Sequence, residues 1–239
     1  MSKPPYRVTN AYEALLAAFR KVAEDADRNV SFPDRPVPAC FTPLVGDRAA
    51  VFKITLCIKD LPCRRLPRDK HLHVLINALE TLKRVGSQHD SWELTRSTVY
   101  LNYVVMTDAM PRLVQALHFD FVEGGQPDHP IFHVELDSEC IPLEDLRDAG
   151  FDLEPQSLTP VNECWVTTRI PTADMTLASV LYCIVADHLP HFFKEFAETV
   201  HPIQERLPSP GFDALKRSLQ RSFLHFKSSH WFAHMLELS

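Results

Sequence analysis

Residues 117–137, LHFDFVEGGQPDHPIFHVELD, alternate apolar and polar side chains on both sides of a Gly124-Gly125 pair. Leu117, Phe119, Phe121, Phe132, Val134 and Leu136 fall in one phase, and His118, Asp120, His133, Glu135 and Asp137 fall in the other. A period of two marks a strand with one buried face, and a glycine turn between two such runs predicts an antiparallel hairpin. With Val122 opposite Ile131, Asp120 lies across from His133, where a carboxylate can orient or charge an imidazole. The same alternation also suits a solvated outer face of a half-buried sheet, so the pattern defines a place before it defines a chemistry.

Other segments supply the partners such a ribbon needs. Asn10 with Glu13 resembles a capping box, and Tyr12, Leu15, Leu16, Phe19 and Val22 follow at helical spacing. Prolines at 33, 36, 38 and 43 then suit an extended arm that wraps either the domain or a partner. Residues 50–59 alternate as a strand, with Phe52, Ile54, Leu56 and Ile58 against Lys53, Thr55, Cys57 and Lys59. After Asp69, a capping residue, Leu72, Leu75, Ile76, Leu79, Leu82 and Val85 form a stripe that predicts a helix ending at Gly86. Residues 95–107 carry apolar side chains in both phases, as a central strand does.

Beyond the hairpin, a short helix is expected at 142–149 and a strand at 164–170. Thr172 then caps an apolar helix through Met175, Leu177, Val180, Leu181, Ile184 and Val185. Further helices are expected at 190–200, 212–226 and 230–238, with breaks at Pro202, Pro208 and Pro210. The fold class is α+β: a mostly antiparallel sheet of at least five strands, an N-terminal helix and a C-terminal helical layer. Residues 1–239 form one domain, with 172–239 either that layer or a small subdomain.

A chain of 239 residues with 45% apolar and 23% charged residues can bury a sizeable core. Its net charge of −6 argues against indiscriminate binding to polyphosphate. Only six glycines stand against 19 prolines, and no phosphate-binding glycine fingerprint is present. Six cysteines show neither a CxxC pair nor disulfide spacing, which suits a reducing cytoplasm. No apolar run is long enough to span a bilayer, so no membrane association is expected.

Several constellations bear on function. Asp120, His133 and Glu135 on the hairpin form a catalytic candidate. With Asp137 they offer ligands to a divalent metal that would polarise a phosphate or activate water. Lys53 or Lys59, on a neighbouring strand, would balance developing negative charge. The loop 59–70 gathers Lys59, Arg64, Arg65, Arg68 and Lys70, of which Arg64 and Arg65 are phosphate-contact candidates, although Asp60 and Asp69 dilute the charge. Arg169 can set its guanidinium against a carboxylate of the polar hairpin face.

Other arrangements fit a known chemistry less well. Cys57, Cys63, His71 and His73 supply four zinc-ligand types, but their spacing departs from finger patterns and the two histidines diverge on a helix. His129 and His133 on one strand stand too far apart to share a metal. His230 and His234 share a helix face, but Trp231 occupies the position of the zinc-protease glutamate. Phe223, Phe226, Trp231 and Phe232 pack C-terminal helices or anchor a protein partner, which makes Phe226, Trp231 and Phe232 the partner-binding candidates.

HPIFHVELD followed by CWVTTRIPTADMTLASVLYCIVADHL resembles uncharacterised bacterial proteins with an HPxxH strand, an R-I-P strand end and an apolar helix. The matching positions are His129, His133, Arg169, Pro171, Asp187 and His188, within about the middle third of the chain. The resemblance implies a component of an antiviral defence or mobile-element neighbourhood and transfers no catalytic role. The expected function is a cytoplasmic interaction or regulatory subunit, in a defence or toxin-related assembly. The alternatives are a metal-dependent phosphoester hydrolase or nuclease and a non-catalytic nucleotide or nucleic-acid sensor. A protein partner is expected, and nucleotide or nucleic acid would be the ligand of the alternatives.

Overall fold

A computed structural model describes residues 6–31, 36–44, 48–61, 71–85, 91–106, 112–123, 132–137 and 175–210. Helix α1 (Tyr6–Asp25) precedes β1 (Val30–Ser31), a 3-10 turn at Val37–Cys40 and β2 (Phe41–Pro43). Four long strands follow: β3 (Ala49–Leu61), β4 (His71–Arg84), β5 (Trp92–Met106) and β6 (Arg112–Val122). Then come β7 (Phe132–Asp137), α2 (Leu177–His188), a 3-10 turn at Pro190–Phe192 and α3 (Phe193–Gln204). The seven strands form one antiparallel sheet in the order β1-β3-β4-β5-β6-β7, with β2 also on β3. The architecture is α+β, as the sequence predicts.

The hairpin pairs in the expected register, with Asp120 opposite His133 and Phe119 opposite Val134. Leu117, Phe119 and Phe121 join the core, as their phase requires. Strand β3 buries Phe52, Ile54, Leu56 and Ile58 on that same side, and β5 adds Val99, Leu101, Tyr103 and Val105. The position of β5 between β4 and β6 explains its apolar residues in both phases.

The segment from Leu72 to Val85 overturns its expected helix. Residues 71–84 are the strand β4, paired along its length with β3 and β5. Its core phase is Leu72, Val74, Ile76, Ala78, Glu80 and Leu82, and the other phase carries His73, Leu75, Asn77 and Leu79. A strand buried on both faces has apolar side chains in both phases, and their sum mimics a helical stripe. Neighbouring strands on both edges supply all its backbone partners, which outweighs the helix propensity of its leucines.

The N-terminal arm wraps its own domain. Val30 and Ser31 pair with Ile58 and Cys57, while Phe41, Thr42 and Pro43 pair with Phe52, Val51 and Ala50. The edge of β3 is thereby covered, which removes a row of open hydrogen-bonding groups. Phe41 also stacks with Phe52 and Tyr12, at centroid distances of 4.9 and 5.7 Å.

The three described helices lie on the core face of the sheet. Helix α1 begins at Tyr6, so Asn10 is inside it rather than at its cap, but Tyr12, Leu15, Leu16, Phe19 and Val22 are buried as expected. The cap of α2 is Thr176, whose hydroxyl accepts from the Ser179 amide at 3.3 Å; Met175 precedes the helix. Every residue of α2 is buried or half-buried. Helix α3 continues past Pro202, which sits in its last turn and forgoes only one late hydrogen bond. Phe196 of α3 meets Phe19 of α1 edge-on at 6.2 Å, and Tyr182 of α2 meets Phe196 at 5.1 Å. Expectations for the Gly124-Gly125 turn, Thr172 and residues 142–149, 164–170, 212–226 and 230–238 fall outside the described residues.

Candidate functional site

Two polar arrangements face opposite sides of the sheet. On the side away from the helices, strand register aligns polar positions in rows. One row runs Lys53, Leu79, Thr98, Asp120, His133, and the next runs Thr55, Asn77, Tyr100, His118, Glu135. This face is not a solvated surface at its centre: Thr55, Asn77, Thr98, Asn102 and Asp120 are all buried. The Asn77 amide donates to the Thr55 hydroxyl at 2.8 Å. Among the described residues, the Thr98 hydroxyl and the Asn102 amide oxygen lie buried without a hydrogen-bond partner, an unusual cost for polar groups in a core.

The catalytic candidates occupy this face by register. His133 is opposite Asp120, and Glu135 is opposite His118. On β6 itself, His118 Nε2 stands 3.6 Å from Asp120 Oδ2, the distance of an ion pair and too long for a hydrogen bond. His118 also lies against the Tyr100 ring at a centroid distance of 5.9 Å. The intrastrand His118–Asp120 pair is the one the sequence reading left out, although both residues share the polar phase.

Lys53 is half-buried on β3, with β4 and β5 between it and β6. At the usual strand spacing that separation is about 14 Å, so Lys53 is not on a strand neighbouring Asp120, which corrects the expectation from the sequence. His188 belongs to the other side of the sheet, where its ring lies 5.7 Å from Tyr103 in the core. Arg64, Arg65, Arg169, Phe226, Trp231 and Phe232 lie outside the described residues, as do Cys63 and His129.

His71 and His73 do not diverge, because two residues apart on a strand they share a face. Both approach Asp60 Oδ1, at 3.0 and 4.0 Å. Asp60 takes a positive φ of 59° at an irregularity in the β3–β4 pairing, a conformation that aspartate tolerates better than most residues. Burial lowers the His73 pKa, opposed by the Asp60 charge. Burial raises the Cys57 thiol from 9.0 to about 12. Among the described residues, no group of three or more His, Cys, Asp and Glu side chains could hold a metal ion.

The second arrangement lies under the helices and centres on Glu80, which is 1% exposed. On the core face of β4, Glu80 has Phe52 on one side and Ser97 on the other in the strand register. Its Oε1 accepts from the Leu177 backbone N–H at 2.8 Å and from the Ser97 hydroxyl at 3.3 Å. Its Oε2 accepts from the Tyr12 hydroxyl. Helix α2 thus presents its N-terminus to a buried carboxylate, with Thr176 taking the Ser179 amide and Glu80 taking the Leu177 amide. Both the dipole and the donors favour the ionised form. Burial, and next the Glu80 charge, push the Tyr12 phenol well above its usual pKa of 10.0.

A cavity of about 290 Å³ opens over this anchor. Buried Glu80 and Tyr12, together with Thr176, Ser179, Tyr182, Gln204, Leu207, Pro208 and Ser209, line it. Ser209 is held to the sheet where its carbonyl accepts from the Leu94 amide at 3.0 Å. A helix over 70–85 hides this site, because there Glu80 falls outside the apolar stripe. Read as a strand, ALETL puts its single acid in the phase of Leu72, Val74 and Ile76, which would have marked it as a buried carboxylate.

Compared with known proteins, the chain matches no family model, no curated protein and no solved structure. No helix among the described residues is long and apolar enough to cross a membrane.

Proposed function

We propose that this protein is a cytoplasmic interaction or regulatory subunit whose C-terminal helices are seated on the sheet through the Glu80 anchor. The supporting observation is that a charged group, not an apolar contact alone, joins α2 to β4 and α1 beside an open cavity. A polar junction is sensitive to what occupies the space next to it, because any competing group must replace its hydrogen bonds. What points to a bacterial defence or toxin-related assembly is the resemblance of the middle third. The Pro-rich arm is no longer a contact candidate over its described residues, since β1 and β2 pair with β3.

The test has two parts. Hydrogen exchange of Glu80→Gln should show faster exchange in 177–204 with β3–β5 unchanged, and a uniform loss or no change would count against a separable helical layer. Mass measurement of the complex isolated at native expression should show a stoichiometric partner weakened by Trp231→Ala. A solitary protein with turnover would overturn the proposal.

A second reading, a metal-dependent phosphoester hydrolase or nuclease, draws on the half-buried His118 beside buried Asp120, in register with Glu135 and His133. Hydrolysis of nucleotide and nucleic-acid substrates with added magnesium, manganese or zinc, lost in Asp120→Asn, would support it. The sensor reading calls for binding that weakens with salt and is lost with Arg64 and Arg65.

A further inference from the structure

We propose that the cavity over Glu80 is a binding site for a small organic cation, a ligand carrying one ammonium or guanidinium group on a short apolar stem. Among the described residues that line the cavity, Glu80 is the only charged one. Its carboxylate lies in a medium of low dielectric, where a charge acts more strongly than in water. The Tyr12 and Ser97 hydroxyls and the first turn of α2 all donate to it, which favours its ionised form against the cost of burial. An anion entering would meet like charge.

The walls suit a cation in a second way. The oxygens of Thr176, Ser179 and Tyr182 can accept from an ammonium, which has donors and no acceptor. Ala178, Leu207 and Pro208 offer apolar surface to a stem. The volume lies at the small end of the range of ligand pockets, which sets the size of the guest. Gln204, whose amide donates to the Tyr182 hydroxyl at 3.3 Å, stands on the exposed side of the cavity. The inference rests on the proposed role of the Glu80 anchor for its consequence: an occupant would touch Thr176 and Ser179, which cap α2.

The probes are n-butylammonium, n-butanol and butyrate, equal in length and differing in charge, added to the full-length protein at 150 mM salt so that the net charge of −6 is screened. Ligand-observed NMR should show butylammonium binding at least tenfold more tightly than either other probe. Glu80→Gln should weaken it at least tenfold, and Gln204→Trp, which narrows the cavity and leaves Glu80 in place, should abolish it even if the first variant fails to fold. Equal binding of all three probes, no binding of any, or binding unchanged by Gln204→Trp would overturn the inference. Binding in this pattern without altered hydrogen exchange in 177–204 would uphold the site and instead sink the regulatory reading.

Discussion

Glu80 shows how one side chain can tie three distant parts of a chain together. It collects donors from Tyr12, Ser97 and Leu177, and each would be left with an unmet hydrogen bond if the acid were removed. Glu80→Ala should therefore lower the unfolding free energy by about 3 kcal/mol, and Tyr12→Phe by about 1–2 kcal/mol, measured by urea titration. The double variant should cost less than the sum, since both remove the same interaction. Because the Tyr12 phenol is raised in the folded state, the unfolded chain releases that proton first. Stability is thus retained below pH 10 and falls as pH rises above it, and Tyr12→Phe should flatten that fall. Cys57, raised from 9.0 to about 12, adds a loss of the same sign between those values. Its thiol should react with iodoacetamide at pH 8 at least a hundredfold more slowly in the folded than in the unfolded protein. His73 works the other way: its pKa is lowered, so the unfolded state takes the proton first as pH drops below 6.5. His73→Gln should reduce the loss of stability between pH 7 and 5 in the same titration.

Among the elements, β3 and β6 were legible because their apolar residues repeat at the period of a strand and match burial, and β5 because β-branched and aromatic residues fill both of its phases. Even the Asp120–His133 register could be read, since one slip would have turned Phe119 away from the core. β4 was illegible for the opposite reason. Between β3 and β5, its outer phase interrupts His71, His73, Asn77 and Thr81 with Leu75 and Leu79, and Leu72, Leu75, Ile76 and Leu79 fit a helix as well. The two histidines at its start and the acid near its end were misplaced with it. As an inner strand, β4 should contain the slowest-exchanging amides of the molecule, and Ile76→Pro should abolish folding where Thr42→Pro on β2 would not. Exchange in 71–84 as fast as in the edge strands would contradict this placement.

At the scale of the whole molecule, the three described helices lie on one face of the sheet and pack against one another. Lys21 of α1 pairs with Asp25 and with Glu195 of α3, at 2.6 Å for the latter, but these groups are largely exposed and add little. The aromatic contact of Phe196 with Phe19 and Tyr182 holds α3 in place. Phe196→Ala should cost about 3–4 kcal/mol in urea unfolding, whereas Lys21→Ala should change it by less than about 1 kcal/mol. By itself, the sequence determined the class of fold, the hairpin register and which side of α1 and β3 faces inward, because period and polarity are local properties of a chain. Only the tertiary structure decided that 71–84 is a strand, that Asp120 on the hairpin's polar face is buried, and that Glu80 meets the start of α2. Those outcomes depend on which hydrogen-bonding partners arrive from residues far away in the chain, and no local pattern records them.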